Sequence, residues 1–330
     1  MGGRRRVRRG FRAPGCGAGV ADGEELTLMR RVRYHRHGGP EVLVVEDGPE
    51  PVAGEGELLI RAAAIGVTRP GVARVRGGDG PLPAMPGGEV AGEVIGIGPG
   101  VSGWAVGDRV AALPFGGSYA EVVAVPAAFA ERIPGSFVDA VALVRSGHVA
   151  LGVLTVAALR GGESVLVTAA ASGVGHLLVQ AARRRGAGRV VAAAGPGKAD
   201  FLYGLGADAV VTYDRLPLPD PVDVVLDGAG GDLLGAALGS VRAGGRLIFF
   251  ASGGGTVPAF DLLAGAKTMT GFTMANFARG NPEVYAGHGR ELWDLGLTVC
   301  VHAALPLAQA ARAHEIVEAR ANCGKVVLLP

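Results

Sequence analysis

Between about residues 31 and 134 the apolar positions fall in short runs, at 42–45, 58–64, 90–97, 109–113 and 120–125. Turns such as Gly38-Gly39-Pro40, Pro86-Gly87-Gly88 and Gly98-Pro99-Gly100 part them. Short β-prone runs bounded by Gly and Pro read as strands, and many in succession predict a compact, barrel-like β domain. From about residue 137 the pattern changes. Apolar runs at 164–170, 189–194, 209–212, 222–226 and 246–251 alternate with helix-length stretches, notably 150–159, 174–185 and 198–205. Such alternation predicts βαβ units around a buried, doubly wound parallel sheet, an α/β fold. Another apolar strand is expected near 267–273, an amphipathic helix over 308–319 and a final strand over 324–329. Segments 69–83 and 272–288 read as loops.

Length and composition narrow the picture. A chain of 330 residues corresponds to about two domains. Its 32 basic and 30 acidic residues leave a charge of +2, so no global field calls for nucleic acid or an anionic membrane. With 49% hydrophobic residues the chain carries a large core, which excludes disorder throughout. Cys16, Cys300 and Cys323 lie far apart, with neither a disulfide framework nor a Cys-x-x-Cys zinc site. The charge-free run 164–182 contains Thr168, Ser172, Gly173, Gly175, His176 and Gln180, which fits strand, turn and helix better than a membrane span. A soluble, cytoplasmic protein is expected. Only Lys198, Lys267 and Lys325 represent lysine, and that rarity raises the weight of each as a functional cation.

Residues 1–28 stand apart. Arg4-Arg5-Arg6-Val7-Arg8-Arg9 precedes Gly, Ala and Pro without periodicity, and no apolar segment follows to make a secretory signal. The stretch reads as a disordered leader or an over-extended start ahead of Met29; the competing reading is a nucleic-acid-binding arm.

The strongest chemical signal is Ser164-Val-Leu-Val-Thr-Ala-Ala-Ala-Ser-Gly-Val-Gly-His-Leu-Leu-Val-Gln180. An apolar strand runs into small residues and then opens a helix. Ala170, Ser172 and Gly175 take the three glycine positions of the G-x-G-x-x-G scheme, with Gly173 and Val174 between. Small side chains let the backbone approach a pyrophosphate, and the helix amides receive its charge. A site for the unphosphorylated dinucleotide ends its next strand in Asp or Glu about 20 residues on. Here that stretch is Val190-Val-Ala-Ala-Ala-Gly-Pro-Gly-Lys198, with no carboxylate before Asp200. A cation at Lys198 suits a 2′-phosphate, so the expected cofactor is NADPH.

At these residues the chain resembles the zinc-independent quinone oxidoreductases of the medium-chain dehydrogenase/reductase superfamily. The resemblance runs from Met29 to the end, through Tyr34-His35-Arg36-His37-Gly-Gly-Pro-Glu-Val-Leu43, Pro86-Gly-Gly-Glu-Val-Ala-Gly-Glu-Val94 and Val106-Gly-Asp-Arg-Val110. It continues with the glycine-rich turn, Leu205-Gly-Ala-Asp208, Val222-Asp-Val-Val-Leu-Asp227 and Gly324-Lys-Val-Val-Leu328. It implies a Rossmann doubly wound parallel sheet over 137–271. A GroES-like β-barrel domain would be built from 29–136 and 272–330, with the active site in the cleft between. It assigns Ala170, Ser172, Gly173, Val174 and Gly175 to the pyrophosphate, Lys198 and Tyr213 to the 2′-phosphate and adenine end, and Ala251, Ser252 and Gly253 to the nicotinamide. A homodimer paired through a sheet edge is implied too. Zinc-dependent relatives carry Cys where this chain has Thr68 and His where it has Gly88, so no metal is expected.

Two departures from the family pattern fall near the expected nicotinamide pocket. The segment Gly66-Val67-Thr68-Arg69-Pro70-Gly71 lacks the usual Asn, and Leu143-Val-Arg-Ser-Gly-His-Val-Ala150 replaces Gly-Leu-Thr-Ala. Thr68, Arg145 and His148 are therefore the candidate catalytic groups, poised to stabilise or protonate negative charge after hydride addition. The expected activity is reduction of a small quinone or α,β-unsaturated carbonyl (enoyl) substrate, compatible with a tailoring step in secondary metabolism. No membrane or nucleic-acid partner is expected. The alternatives are an NADPH-binding protein without turnover, touching nucleic acid through its leader, or a redox-neutral reaction on the same scaffold.

Overall fold

The structure is a computed structural model that describes residues 6–7, 26–78 and 80–330. Six parallel strands, Ser164–Val167, Arg189–Ala193, Ala209–Val211, Val222–Asp227, Val241–Phe249 and Thr268–Gly271, form one sheet. Their spatial order is third, second, first, fourth, fifth, sixth. Val165, Leu166, Val190, Val191, Val224 and Val225 are buried, as strands covered on both faces require. The order reverses beside the first strand, and ligands of such sheets bind at the carboxyl ends of the strands at that point.

The second layer is a seven-stranded sheet in which Glu57–Val67 pairs with Val90–Ile97, Val122–Pro126 and Lys325–Leu329. The last of these brings the end of the chain back onto its first third, with Val301–Pro306 alongside. One apolar core runs through both layers, joining Ala64, Ala91 and Leu113 to Val165, Val190 and Leu226.

Between the layers stands the helix Phe137–Ala157, α2, which follows the short helix Arg69–Arg76, α1, and precedes Gly175–Arg184, α3. α2 is long and apolar enough to cross a membrane, yet 78% of its apolar window is buried within the molecule. The helix expected over 150–159 thus begins much earlier. Ser136 Oγ accepts from Asp139 N at 3.1 Å and caps it, which carries Arg145 and His148 into the middle of the helix.

Other expectations shift for equally local reasons. The strand at 42–45 is replaced by a 3-10 turn, Pro40–Val42, and the strand runs over Val44–Pro49. Pro40 sets the turn, since its ring fixes φ and the Leu43 amide donates to its carbonyl. The strand at 246–251 starts earlier, at Val241, and runs through polar and glycine positions. Segment 69–83 contains α1, capped by Thr68, and segment 272–288 holds the helix Met274–Gly280 and the start of Pro282–Asp294. The helix at 308–319 is Ala310–Glu318, entered through a 3-10 turn at Leu307–Gln309. Most of the leader expected over 1–28 lies outside the described residues. Arg6 and Val7 pair antiparallel with Thr27 and Leu26, and Met29 sits inside the strand Leu26–Arg33.

Candidate active site

The glycine-rich turn leaves the first parallel strand and opens α3. Ser172 Oγ accepts from Gly175 N at 3.0 Å. Only glycine fits at 175, because a side-chain carbon there would lie 2.2 Å from Ala169 O and 2.7 Å from Ala170 Cα. Gly173 backs onto the β domain: a carbon added to it would meet Lys325 Cδ at 3.2 Å and Ser146 Oγ at 3.6 Å. Ala170, Ser172, Gly173, Val174 and Gly175 are thus one tight strand–turn–helix junction, in which Ser172 takes the Gly175 and His176 amides and the helix start carries the partial positive charge that attracts anions.

The neighbouring strand ends complete a crevice. The second strand closes on Ala193 and Ala194, and a carbon added at Gly195 or Gly197 would meet nothing within 4 Å. Ala251, Ser252 and Gly253 follow the fifth strand, and only Ala229 O, at 3.7 Å, stands near a carbon added at Gly253. Below them Thr168 Oγ1 donates to Asp227 at 2.5 Å, and Asp227 accepts from Gly230 N at 3.1 Å. Burial pushes the Asp227 carboxyl up, while these bonds pull the other way.

Lys198, expected to meet a 2′-phosphate, is also engaged within the chain. Its Nζ donates to Arg320 O at 2.8 Å and Asn322 O at 2.9 Å, tying the loop before the last strand to the crevice. An ammonium has three N–H groups, so one is left for an anion. Tyr213 stands at the same end. Burial pushes its phenol up, with the Ala169 amide and the Arg320 guanidinium opposing. Arg320 carried no motif signal, being one arginine of a tail in an arginine-rich chain.

The opposite wall gathers Thr68 and Arg145 near the Gly87-Gly88 turn. Thr68 Oγ1 accepts from Gly71 N at 3.1 Å, and a carbon added at Gly71 would lie 3.0 Å from that oxygen and 3.8 Å from Gly87 O. Ser118 Oγ fixes the turn, accepting from Gly88 N at 2.8 Å and donating to Glu89 O at 3.1 Å. A carbon added at Gly88 would lie 3.6 Å from Arg145 Nη1. Burial pushes the Arg145 guanidinium down, opposed by the nearby Glu89 carboxylate.

His148 does not join them. Its side chain has no exposed surface, its Nε2 is paired with the Glu131 carboxylate, and its ring stacks on Tyr285 with centroids 4.1 Å apart. One helical turn separates it from Arg145, yet its side chain is packed between Glu131 and Tyr285 inside the molecule.

Sequence reasoning passed over the Glu89–Lys325 pair. Glu89 is wholly buried, Lys325 is 4% exposed, and the two charges meet behind the glycine-rich turn. Gly66 makes room, since a side-chain carbon there would overlap the Glu89 carboxylate. The only signal was position: each charge directly follows a glycine and opens an apolar strand run, and a charge buried there has to be paired. His176 is structural, its Nδ1 bonded to Ser172 O at 2.9 Å and its Nε2 accepting from Cys300 N at 3.2 Å. Among the described residues, no three His, Cys, Asp or Glu converge as metal ligands.

Comparison with known proteins agrees with this geometry. Residues 54–135 match the alcohol dehydrogenase GroES-like domain and 173–287 the zinc-binding dehydrogenase family. A quinone oxidoreductase of Pseudomonas aeruginosa is 32% identical over 92% of this chain and all of its own. The chain belongs to the quinone oxidoreductase family. Within the medium-chain dehydrogenase/reductase superfamily it is also 29% identical to the chloroplastic NADPH-dependent alkenal/one oxidoreductase of Arabidopsis thaliana, over 94% of this chain and 82% of that one. A mycobacterial structure complexed with NADPH superposes with a TM-score of 0.85, at 35% identity over 92% of this chain and all of the other. As a member of this family the protein is an oxidoreductase built on a Rossmann sheet and a GroES-like domain, and its cofactor is a nicotinamide dinucleotide.

Proposed function

We propose that the protein is an NADPH-dependent reductase of quinones or α,β-unsaturated carbonyl compounds that works without zinc. The observation that supports this reading is the set of strand ends at the switch point of the parallel sheet. The glycine-rich turn faces it on one side, the strand beside it ends without a carboxylate, and Lys198, Tyr213 and Arg320 gather at that end. Ala170 to Gly175 would hold the pyrophosphate and Lys198 the 2′-phosphate, with Ala251, Ser252 and Gly253 against the nicotinamide. When bound, the cofactor supplies a hydride to an electrophilic carbon.

The chain's own groups orient the acceptor and exclude water. Arg145 and the Thr68 hydroxyl would stabilise charge on an acceptor oxygen, a role supported by their shared position beside the Gly87-Gly88 turn. In place of zinc ligands, Thr68 spends its oxygen on the α1 cap and Gly88 has no side chain. Edge-strand pairing into a homodimer is supported by the outermost position of Thr268–Gly271 and by Phe260 and Leu263, which are 70% and 74% exposed on the helix Ala259–Ala264.

The test is NADPH oxidation by the full chain over a panel of quinones and enones. Turnover with at least one acceptor class, and none without acceptor, is expected. NADPH binding with no acceptor reduced would favour the non-catalytic binding protein instead.

A further inference from the structure

The first and fourth parallel strands, Ser164–Val167 and Val222–Asp227, lie side by side at the switch point of the sheet. A hydroxyl and a carboxylate bridge them twice. Near their amino ends Ser164 Oγ donates to Asp223 Oδ2 at 2.6 Å, and four residues on Thr168 Oγ1 donates to Asp227 Oδ1 at 2.5 Å. The two bridges differ in what else they hold. Asp223 is paired with the Arg242 guanidinium. Asp227 has no exposed surface and, among the described residues, no cation pairs with it. It is met instead by Ala229 N at 3.3 Å on Oδ1 and by Gly230 N at 3.1 Å on Oδ2. Thr168 Oγ1 accepts from Gly228 N at 3.0 Å and from Ala229 N at 3.1 Å, so its donor and both lone pairs are engaged.

Buried polar groups need hydrogen-bond partners, and these two side chains take theirs from the amides of one short loop. Gly230 and Gly231 turn that loop at φ of +61° and +60°. Gly231 N donates to Gly254 O at 2.7 Å, and a carbon added at Gly230 would lie 2.8 Å from Ala251 Cβ. The loop after the fourth strand is thereby seated against Ala251 and Gly254, which follow the fifth. On its other side Thr168 leads directly into the glycine-rich turn. We propose that Thr168 and Asp227 are positioning residues that lock the turn assigned to the pyrophosphate to the residues assigned to the nicotinamide. They act through the backbone of 228–231 and touch neither cofactor nor acceptor. This bridge deepens the reductase reading and rests on its assignment of the two cofactor halves. With the bridge cut, the adenosine half is held as before and the nicotinamide half loses its fixed wall.

The test compares the wild type with Thr168→Val, Thr168→Ser and Asp227→Asn. Ser164→Ala is the control, since it cuts the same kind of bridge at the far end of the same strands. Calorimetry reads affinity for NADPH and for 2′,5′-ADP, which lacks the nicotinamide half, and amide exchange reads residues 228–231 and 251–254. Thr168→Val should cut the affinity ratio of NADPH to 2′,5′-ADP by about fivefold or more, the worth of one hydrogen bond. It should speed exchange in both loops and leave 2′,5′-ADP binding unchanged. Thr168→Ser, which keeps the hydroxyl, should restore the ratio. Asp227→Asn should act like Thr168→Val, because an amide has one acceptor oxygen where the carboxylate has two. Ser164→Ala should lower the melting temperature without changing the ratio or the exchange at 251–254. With a reducible acceptor, Thr168→Val should lose about tenfold or more in kcat at an unchanged acceptor KM, as misplaced reactants do. A wild-type affinity ratio in Thr168→Val overturns the proposal, and so does an equal loss of that ratio in Ser164→Ala. If Asp227→Asn fails to fold, the two Thr168 variants decide. If NADPH binds and no acceptor is reduced, the reductase reading falls, and the affinity ratio still decides the bridge.

Discussion

His148 is held against Glu131 inside the molecule, its imidazole fully buried and the carboxylate largely so. With Tyr285 stacked on the other face, the ring pins α2 to the strand Ala130–Arg132 and the helix Pro282–Asp294. Removing one partner of a buried pair typically costs about 3–5 kcal/mol. His148→Ala should therefore lower the melting temperature clearly, while the surviving folded enzyme keeps near-normal turnover. Arg145→Ala should show the reverse, losing about 10²–10³ in rate if it stabilises developing charge. Thermal melts and steady-state kinetics on both variants check this.

Glu89 and Lys325 make a second, independent case. Glu89→Gln or Lys325→Met alone leaves one buried charge unmatched and should cost about 3–5 kcal/mol in denaturant unfolding. The double variant Glu89→Leu with Lys325→Met should recover most of that loss. A double variant no better than the worse single one would show that the pair does more than balance charge.

Cofactor choice should follow the strand end. NADPH should bind well over tenfold more tightly than NADH, because a charge-assisted phosphate contact contributes a few kcal/mol. Lys198→Ala should erase most of that preference. It should also loosen the loop that Arg320 O and Asn322 O tie down, visible as faster amide exchange over 320–324. Titrations with both cofactors check it, and equal wild-type affinities would sink the assignment.

Acid should weaken the fold through its buried histidines. His176, His288 and His314 are pushed down to about 4, in each case chiefly by burial. An unfolded histidine titrates near 6.5, so between these values the unfolded chain binds more protons than the folded one. Stability from this source is complete above about pH 6.5 and drains away as pH falls toward 4. Melting temperatures should drop over that window. His314→Gln, which can still bond the Tyr119 hydroxyl that His314 Nε2 meets at 3.0 Å, should flatten the slope.

Chelation should change neither activity nor melting temperature, since Thr68 and Gly88 offer no zinc ligand. Stoichiometric zinc by elemental analysis would contradict this.

The chain's local pattern was enough to announce the parallel sheet and the glycine-rich turn. Val190, Val191, Val224 and Val225 must be buried on both faces, and the small residues from Ala170 to Gly175 permit only a tight entry into a helix. These are consequences of period and side-chain size, which neighbours in sequence carry. The ion pairs were decided elsewhere. Glu89 and Lys325 are far apart in the chain and meet only because Lys325–Leu329 lies antiparallel on Glu57–Val67, over the gap left at Gly66. Likewise, three residues along α2 separate Arg145 from His148, and their opposite fates depend on what faces each side of that helix. Glu131 and Tyr285 claim one side chain, while the other lies against the Gly88 turn. Long-range contact, and not local preference, sets the charge balance of this cleft.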